Sequence, residues 1–113
     1  MAFTSIDNPE LYFQCKLYTG NGTDDTSITL DGTENMQPDL VWLKRRDNAG
    51  RHRLFDSVRG ATKSLRSDDD ENEITAADSL KSFDSDGFTL GADSASGGIN
   101  VNINTETMVA WCW

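Results

Sequence analysis

The sequence predicts an all-β protein, a single antiparallel β-sandwich domain of seven or eight short strands. Three observations lead there. Blocks rich in Ala, Leu and Glu with helical period are absent. Short β-branched or alternating segments recur between turns rich in Gly, Asn, Asp, Ser and Thr. The aromatic residues are spread along the chain, from Phe3 to Trp113, so that most predicted strands carry an anchor. At 113 residues the chain has the size of one domain and buries roughly two thirds of its unfolded surface, enough for one core.

Residues 1–10 read as an irregular N-terminal arm that ends at Asn8-Pro9, and 11–113 as the sandwich. Leu11 to Tyr18 is the first strand, with Phe13, Cys15 and Leu17 on one face and Tyr12, Gln14, Lys16 and Tyr18 on the other. Thr19-Gly20-Asn21-Gly22-Thr23 is a turn, and Thr26 to Leu30 a short second strand. The central strand follows Pro38, whose ring holds Gln37 extended. Its apolar run, Leu40 to Leu43, implies cover on both faces. Asn48-Ala49-Gly50 closes a hairpin onto 52–58, with Leu54 the first inward residue and Phe55 on the opposite face. Residues 63–66 are a short extended piece, 67–73 a polar loop, and 76–80 either a helical turn or a loop. Phe83-Asp84-Ser85-Asp86-Gly87-Phe88 is a turn between aromatics, and Gly91 to Gly98 a loop of small residues. Phe88 to Leu90, Ile99 to Ile103 and Glu106 to Trp113 complete the strands. In the last, Met108, Ala110 and Cys112 share one face and Val109, Trp111 and Trp113 the other. Trp42, Phe55, Phe88 and Trp111 are the expected core.

The formal net charge of −9 argues against nucleic acid, which needs a basic stripe. No apolar run has membrane-spanning length, and no basic-then-apolar leader opens the chain, so neither a membrane nor export is expected. In a reducing compartment Cys15 and Cys112 read as two buried free thiols. A disulfide is open on geometry only if the first and last strands lie side by side.

Candidate chemistry is sparse. His52 is the one imidazole, and a relay with Asp56 and Ser57 would join close neighbours of one strand without a Gly-x-Ser-x-Gly elbow, so a solvated loop histidine is the better reading. The acidic run 68–73 lacks the ligand spacing of a calcium loop and reads as a solvated loop tip. Asp84-Ser85-Asp86-Gly87 lacks a distal Glu and reads as an Asx-capped turn. No catalytic residue, metal ligand or cofactor is expected. Lys44, Arg45, Arg46, Arg51, Arg53, Arg59, Lys63 and Arg66 make a basic middle, either the solvent side of a hairpin or a contact for an acidic surface, such as another copy. Trp111 and Trp113 close the core, form an interface or stack on sugar, in that order of expectation. For the third, Asn100, Asn102 and Asn104 could supply amides. The expected platform residues are therefore Trp111, Trp113, Arg45, Arg46 and Arg59.

Five stretches in order resemble a recurrent domain of tailed-phage virion proteins, notably in phages of marine cyanobacteria and other marine bacteria. They are Leu17-Tyr18-Thr19-Gly20-Asn21-Gly22, then Gln37 to Lys44, then Leu54 to Lys63. Ser82 to Gly91 and Val109-Ala110-Trp111-Cys112-Trp113 complete the set. The resemblance runs from about residue 11 to 113. It implies a jelly-roll or lectin-like sandwich on the virion surface, and Cys15 departs from the pattern. In fibre proteins the Trp-Cys-Trp piece leads into further domains; here the sequence stops at it, which favours a capsid decoration, knob or short fibre subunit. Expected partners are other virion proteins and copies of the same chain, with a host surface glycan as the alternative.

Overall fold

The computed structural model describes residues 5–94 and 99–113. It is all-β, with a short 3-10 turn, Pro9–Leu11, as its helical element. Among the described residues nine strands follow: β1 Gln14–Thr19, β2 Thr26–Thr29, β3 Leu40–Arg45, β4 Arg53–Asp56, β5 Lys63–Ser64, β6 Ile74–Thr75, β7 Leu80–Asp84, β8 Gly87–Leu90 and β9 Thr107–Cys112. They form a four-stranded antiparallel sheet, β1-β9-β3-β4, and a three-stranded one, β2-β8-β7. The β5-β6 pair joins the larger sheet through Leu65, which exchanges both backbone hydrogen bonds with Leu54 at 3.0 and 2.9 Å.

The core lies between the sheets. The larger one contributes Val41, Leu43, Phe55, Met108, Ala110 and Cys112, the smaller one Ile28, Leu80, Phe88 and Leu90, all in one buried cluster. The period of two assigns these residues to a common face of each strand. The turn after β1 is no hairpin, because β1 and β2 belong to different sheets. Gly20 is required there: a Cβ would sit 2.2 Å from the Ile103 carbonyl oxygen. Gly87 opens β8 at φ 131°, and its Cβ would meet the Ile28 carbonyl at 2.0 Å.

Several expectations are corrected. β1 begins at Gln14, because Asn8-Pro9 starts the 3-10 turn and the Tyr12 and Phe13 amides both donate to the Pro9 carbonyl. In β4 the inward residues are Arg53 and Phe55, while Leu54 is only partly buried on the outer side. Of the two readings for 76–80 the loop holds, as a turn over 76–79 that leads into β7 at Leu80, whereas the short strand β6 was not foreseen. Described residues 99–103 are no strand. The buried Asp93 carboxylate holds them instead, accepting from the Val101 amide at 2.7 Å and more weakly from the Ile99 and Asn102 amides at 3.3 and 3.4 Å. Of the predicted 91–98 loop, residues 95–98 lie outside the described residues.

The thiols also differ from expectation. Cys15 is exposed and Cys112 buried, and both are free. Gln14, not Cys15, is opposite Cys112 in the register, so the two side chains leave opposite faces of neighbouring strands. Neighbouring strands alone do not make a disulfide. Burial pushes the Cys112 thiol up to about 12, with Cys15 a smaller cause.

Candidate functional site: the outer face of the larger sheet

The same alternation that buries Met108, Ala110 and Cys112 sends Val109, Trp111 and Trp113 to the outer face. Cys15, Trp111, Trp42 and Leu54 stand opposite one another as a row across β1, β9, β3 and β4. Leu17, Val109 and Lys44 form the next row. Phe13 packs on Trp113 with ring centroids 5.0 Å apart, and Trp42 meets Trp111 edge-on at 5.7 Å. Edge contacts of this kind suit the ring quadrupoles.

The outer face of a two-layer sandwich ordinarily carries polar side chains. This one carries Leu17 at 54 % exposure, Trp113 at 42 % and Phe13 at 41 %. Trp42 and Trp111 are partly buried against them, so the expectation that they build the interior core is corrected; Phe55 and Phe88 do so. On the inner side of the same strand, Met108, Ala110 and Cys112 face the space between the sheets.

Trp42, His52, Trp111 and Trp113 line an open cleft of about 450 Å³. The Trp42 indole N–H donates to His52 Nδ1 at 2.9 Å, and the rings meet at 5.6 Å. His52 is thus an anchored wall of the cleft, not a solvated loop residue. The Ser-His-Asp relay is not assembled: Ser57 Oγ donates to Asp39 at 2.9 Å, and Asp56 is paired with Arg59 at 2.5 Å.

The structure separates the predicted platform into two parts. Trp111 and Trp113 belong to the aromatic face. Arg45 pairs with Glu106 and with Asp47 at 2.6 Å, and the Arg45 hydrogen bond holds the Asp47 carboxyl below its ordinary range. Arg46 follows β3 and donates its amide to the Thr107 carbonyl. Arg59 bonds Asp56, Glu73 and the Leu54 carbonyl. The acidic run is the counterpart of this basic middle: Asp68 and Asp69 meet Arg51, while Asp69 and Glu71 meet Arg66. Arg45, Arg51, Arg59 and Arg66 are thus paired within the chain, while Arg46 is exposed and the acidic run, though it supplies several of these partners, stays at the surface. Among the described residues no group of three His, Cys, Asp or Glu side chains could hold a metal ion. Asn102 is buried, with its amide on the Thr23 and Gly91 carbonyls and its oxygen on the Asn21 amide, so it is not a sugar contact.

Sequence reasoning identified Trp111 and Trp113 but missed Phe13, Leu17, Trp42 and His52 as their companions. The signal was present in part: Phe13, just before β1, and Cys15 and Leu17 within it form an apolar stripe, with no rule for which stripe faces out.

With this geometry in place, the chain can be set beside known proteins. The family described as "Domain of unknown function (DUF7483)" matches residues 8–113, and the chain belongs to it. No curated protein and no solved structure matches.

Proposed function

We propose that this protein is a structural subunit on the exterior of a tailed-phage virion, a capsid decoration, knob or short fibre subunit. It attaches by packing the aromatic face of its larger sheet against another virion protein. The observation that carries the reading is that face, where Phe13, Leu17 and Trp113 are exposed around Trp42 and Trp111. Tryptophan is enriched among residues that dominate interface energies, and many copies on a lattice let weak contacts add up. The five sequence stretches resembling phage virion domains support the setting.

The test is binding of the purified protein to particles that lack it, read by difference density. Trp113→Ala and Leu17→Ser are expected to weaken attachment by about 10-fold or more while the domain stays folded. Unchanged attachment would remove the aromatic face from the reading, and absence from the particle would overturn the virion setting.

A second reading, a host-surface carbohydrate adhesin, is favoured by the indole-lined cleft itself, since sugar rings stack on tryptophan faces. It predicts glycan binding that Trp111→Ala abolishes, with no attachment to particles.

A further inference from the structure

The larger sheet has two edges, and they are treated differently. At the β4 edge, Leu65 exchanges both backbone hydrogen bonds with Leu54, and the Arg59 guanidinium caps the Leu54 carbonyl at 3.2 Å. At the β1 edge, no strand among the described residues lies beyond. The direction of the free groups follows from the ladder. The Gly20 amide donates to the Glu106 carbonyl at 2.9 Å, which places residues of even number in β1 in the hydrogen-bonded pairs with β9. The N–H and C=O groups of Cys15 and Leu17 therefore point outward, away from β9. β1 contains no proline and is paired with β9 without a bulge, so two common protections of an edge are missing.

Beside this edge lies a cleft of about 280 Å³, lined by Glu10, Phe13, Gln14, Cys15, Asp31 and Gly32. Its two carboxylates each have partners within the chain. Glu10 accepts from the Thr33 amide and hydroxyl, both at 2.7 Å, and Asp31 accepts from Lys16 at 2.5 Å. Two negative charges against one positive leave the cleft short of a cation. Phe13, exposed and apolar, forms one wall of the cleft and continues onto the outer face of the strand, where Leu17 is exposed as well.

We propose that the β1 edge is a strand-addition site for an extended basic segment of a partner polypeptide. The segment pairs with the backbone of Cys15 and Leu17 and places a Lys or Arg side chain beside Glu10 and Asp31. Alternation then sends its neighbouring residues to the other face, where apolar side chains continue the surface of Phe13 and Leu17. A second copy of this chain fits less well, because it brings another net charge of −9 and another Glu10-Asp31 pair to the same edge. The site shares Phe13 and Leu17 with the aromatic face, but it does not depend on the virion reading, because its pairing groups are the backbone N–H and C=O of the β1 edge.

The test uses the whole protein and three synthetic peptides: an alternating Val/Lys heptapeptide, its Val/Glu counterpart, and the Val/Lys peptide with a central proline. Calorimetry is expected to show the basic peptide binding about 10-fold or more tighter than the acidic one, with the preference reduced by Glu10→Gln and Asp31→Asn. Amide hydrogen exchange is expected to show new protection at Cys15 and Leu17, with Lys16 protected with or without peptide. Cys15→Pro removes an outward amide and no bond to β9, so it is expected to abolish binding. If that variant does not fold, protection in the unaltered protein decides alone. No binding by the basic peptide, equal binding of the acidic one, or unchanged exchange at Cys15 and Leu17 would each overturn the proposal. Protection of the same amides by dimerisation would overturn it in favour of a second copy.

Discussion

Asp93→Asn is the most informative single change to the fold. Asp93 is 3 % exposed and sits at φ 56°, a conformation that asparagine also tolerates. The substitution keeps the shape and one acceptor oxygen, so it isolates the second oxygen and the charge. In the folded protein one carboxylate oxygen accepts from Ser79 Oγ at 2.9 Å and the Ile99 amide at 3.3 Å. The other accepts from the Val101 amide at 2.7 Å and the Asn102 amide at 3.4 Å. Asparagine must turn its NH2 toward one of these pairs of donors. One short charge-assisted bond is lost and a buried donor is left facing another donor, at about 2–4 kcal/mol in all. A domain of this size has about 5–15 kcal/mol of total stability. In urea, with a slope of about 1.5 kcal/mol per M, the midpoint should fall by roughly 1.3–2.7 M. A fall below about 0.3 M would refute the view that Asp93 replaces a strand ladder for residues 99–102.

Two further outcomes follow from the thiols and the Tyr18 phenol. Ellman's reagent should modify Cys15 quickly in the native protein and Cys112 only on unfolding, because Cys112 is buried and its thiol is pushed up to about 12; two fast thiols in the native state would contradict the face assignment. Tyr18 donates its hydroxyl to the Val101 carbonyl at 2.6 Å, and burial, with Asp93 and Cys112 as smaller causes, raises the phenol well above its ordinary range. A raised folded pKa means that its stabilisation is fully present below the unfolded value of about 10 and is lost as pH rises beyond it. Denaturant midpoints should thus decline above about pH 10, less steeply in Tyr18→Phe, and equal declines in both proteins would remove Tyr18 as the cause.

Much of the fold was legible because it is written in local patterns. The central strand at 40–45, the hairpin onto β4 and the last strand were placed by apolar runs, turn residues and alternation, all of which act within a few residues. Residues 99–103 misled, since Val101 and Ile103 alternating with asparagines carry the period of a strand. What keeps them out of a sheet is a single carboxylate, Asp93, held by contacts that no local pattern encodes. The basic middle and the acidic run were likewise each visible, but not that Arg51, Arg59 and Arg66 close onto Asp68, Asp69, Glu71 and Glu73.

By itself, the sequence determined that the chain is all-β, where most of its strands run, and which residues share a strand face. Only the tertiary structure decided which face is inside. In β1 and the residue before it the apolar set Phe13, Cys15 and Leu17 looks outward, while Gln14, Lys16 and Tyr18 look inward; in β9 and the residue after it the two tryptophans look outward and Cys112 inward. Alternation follows from the backbone alone, whereas the choice of face depends on the second sheet and the volume between the two. Phe55 and Phe88 are the large rings of that close-packed interior, and the residues that β9 presents to it are Met108, Ala110 and Cys112.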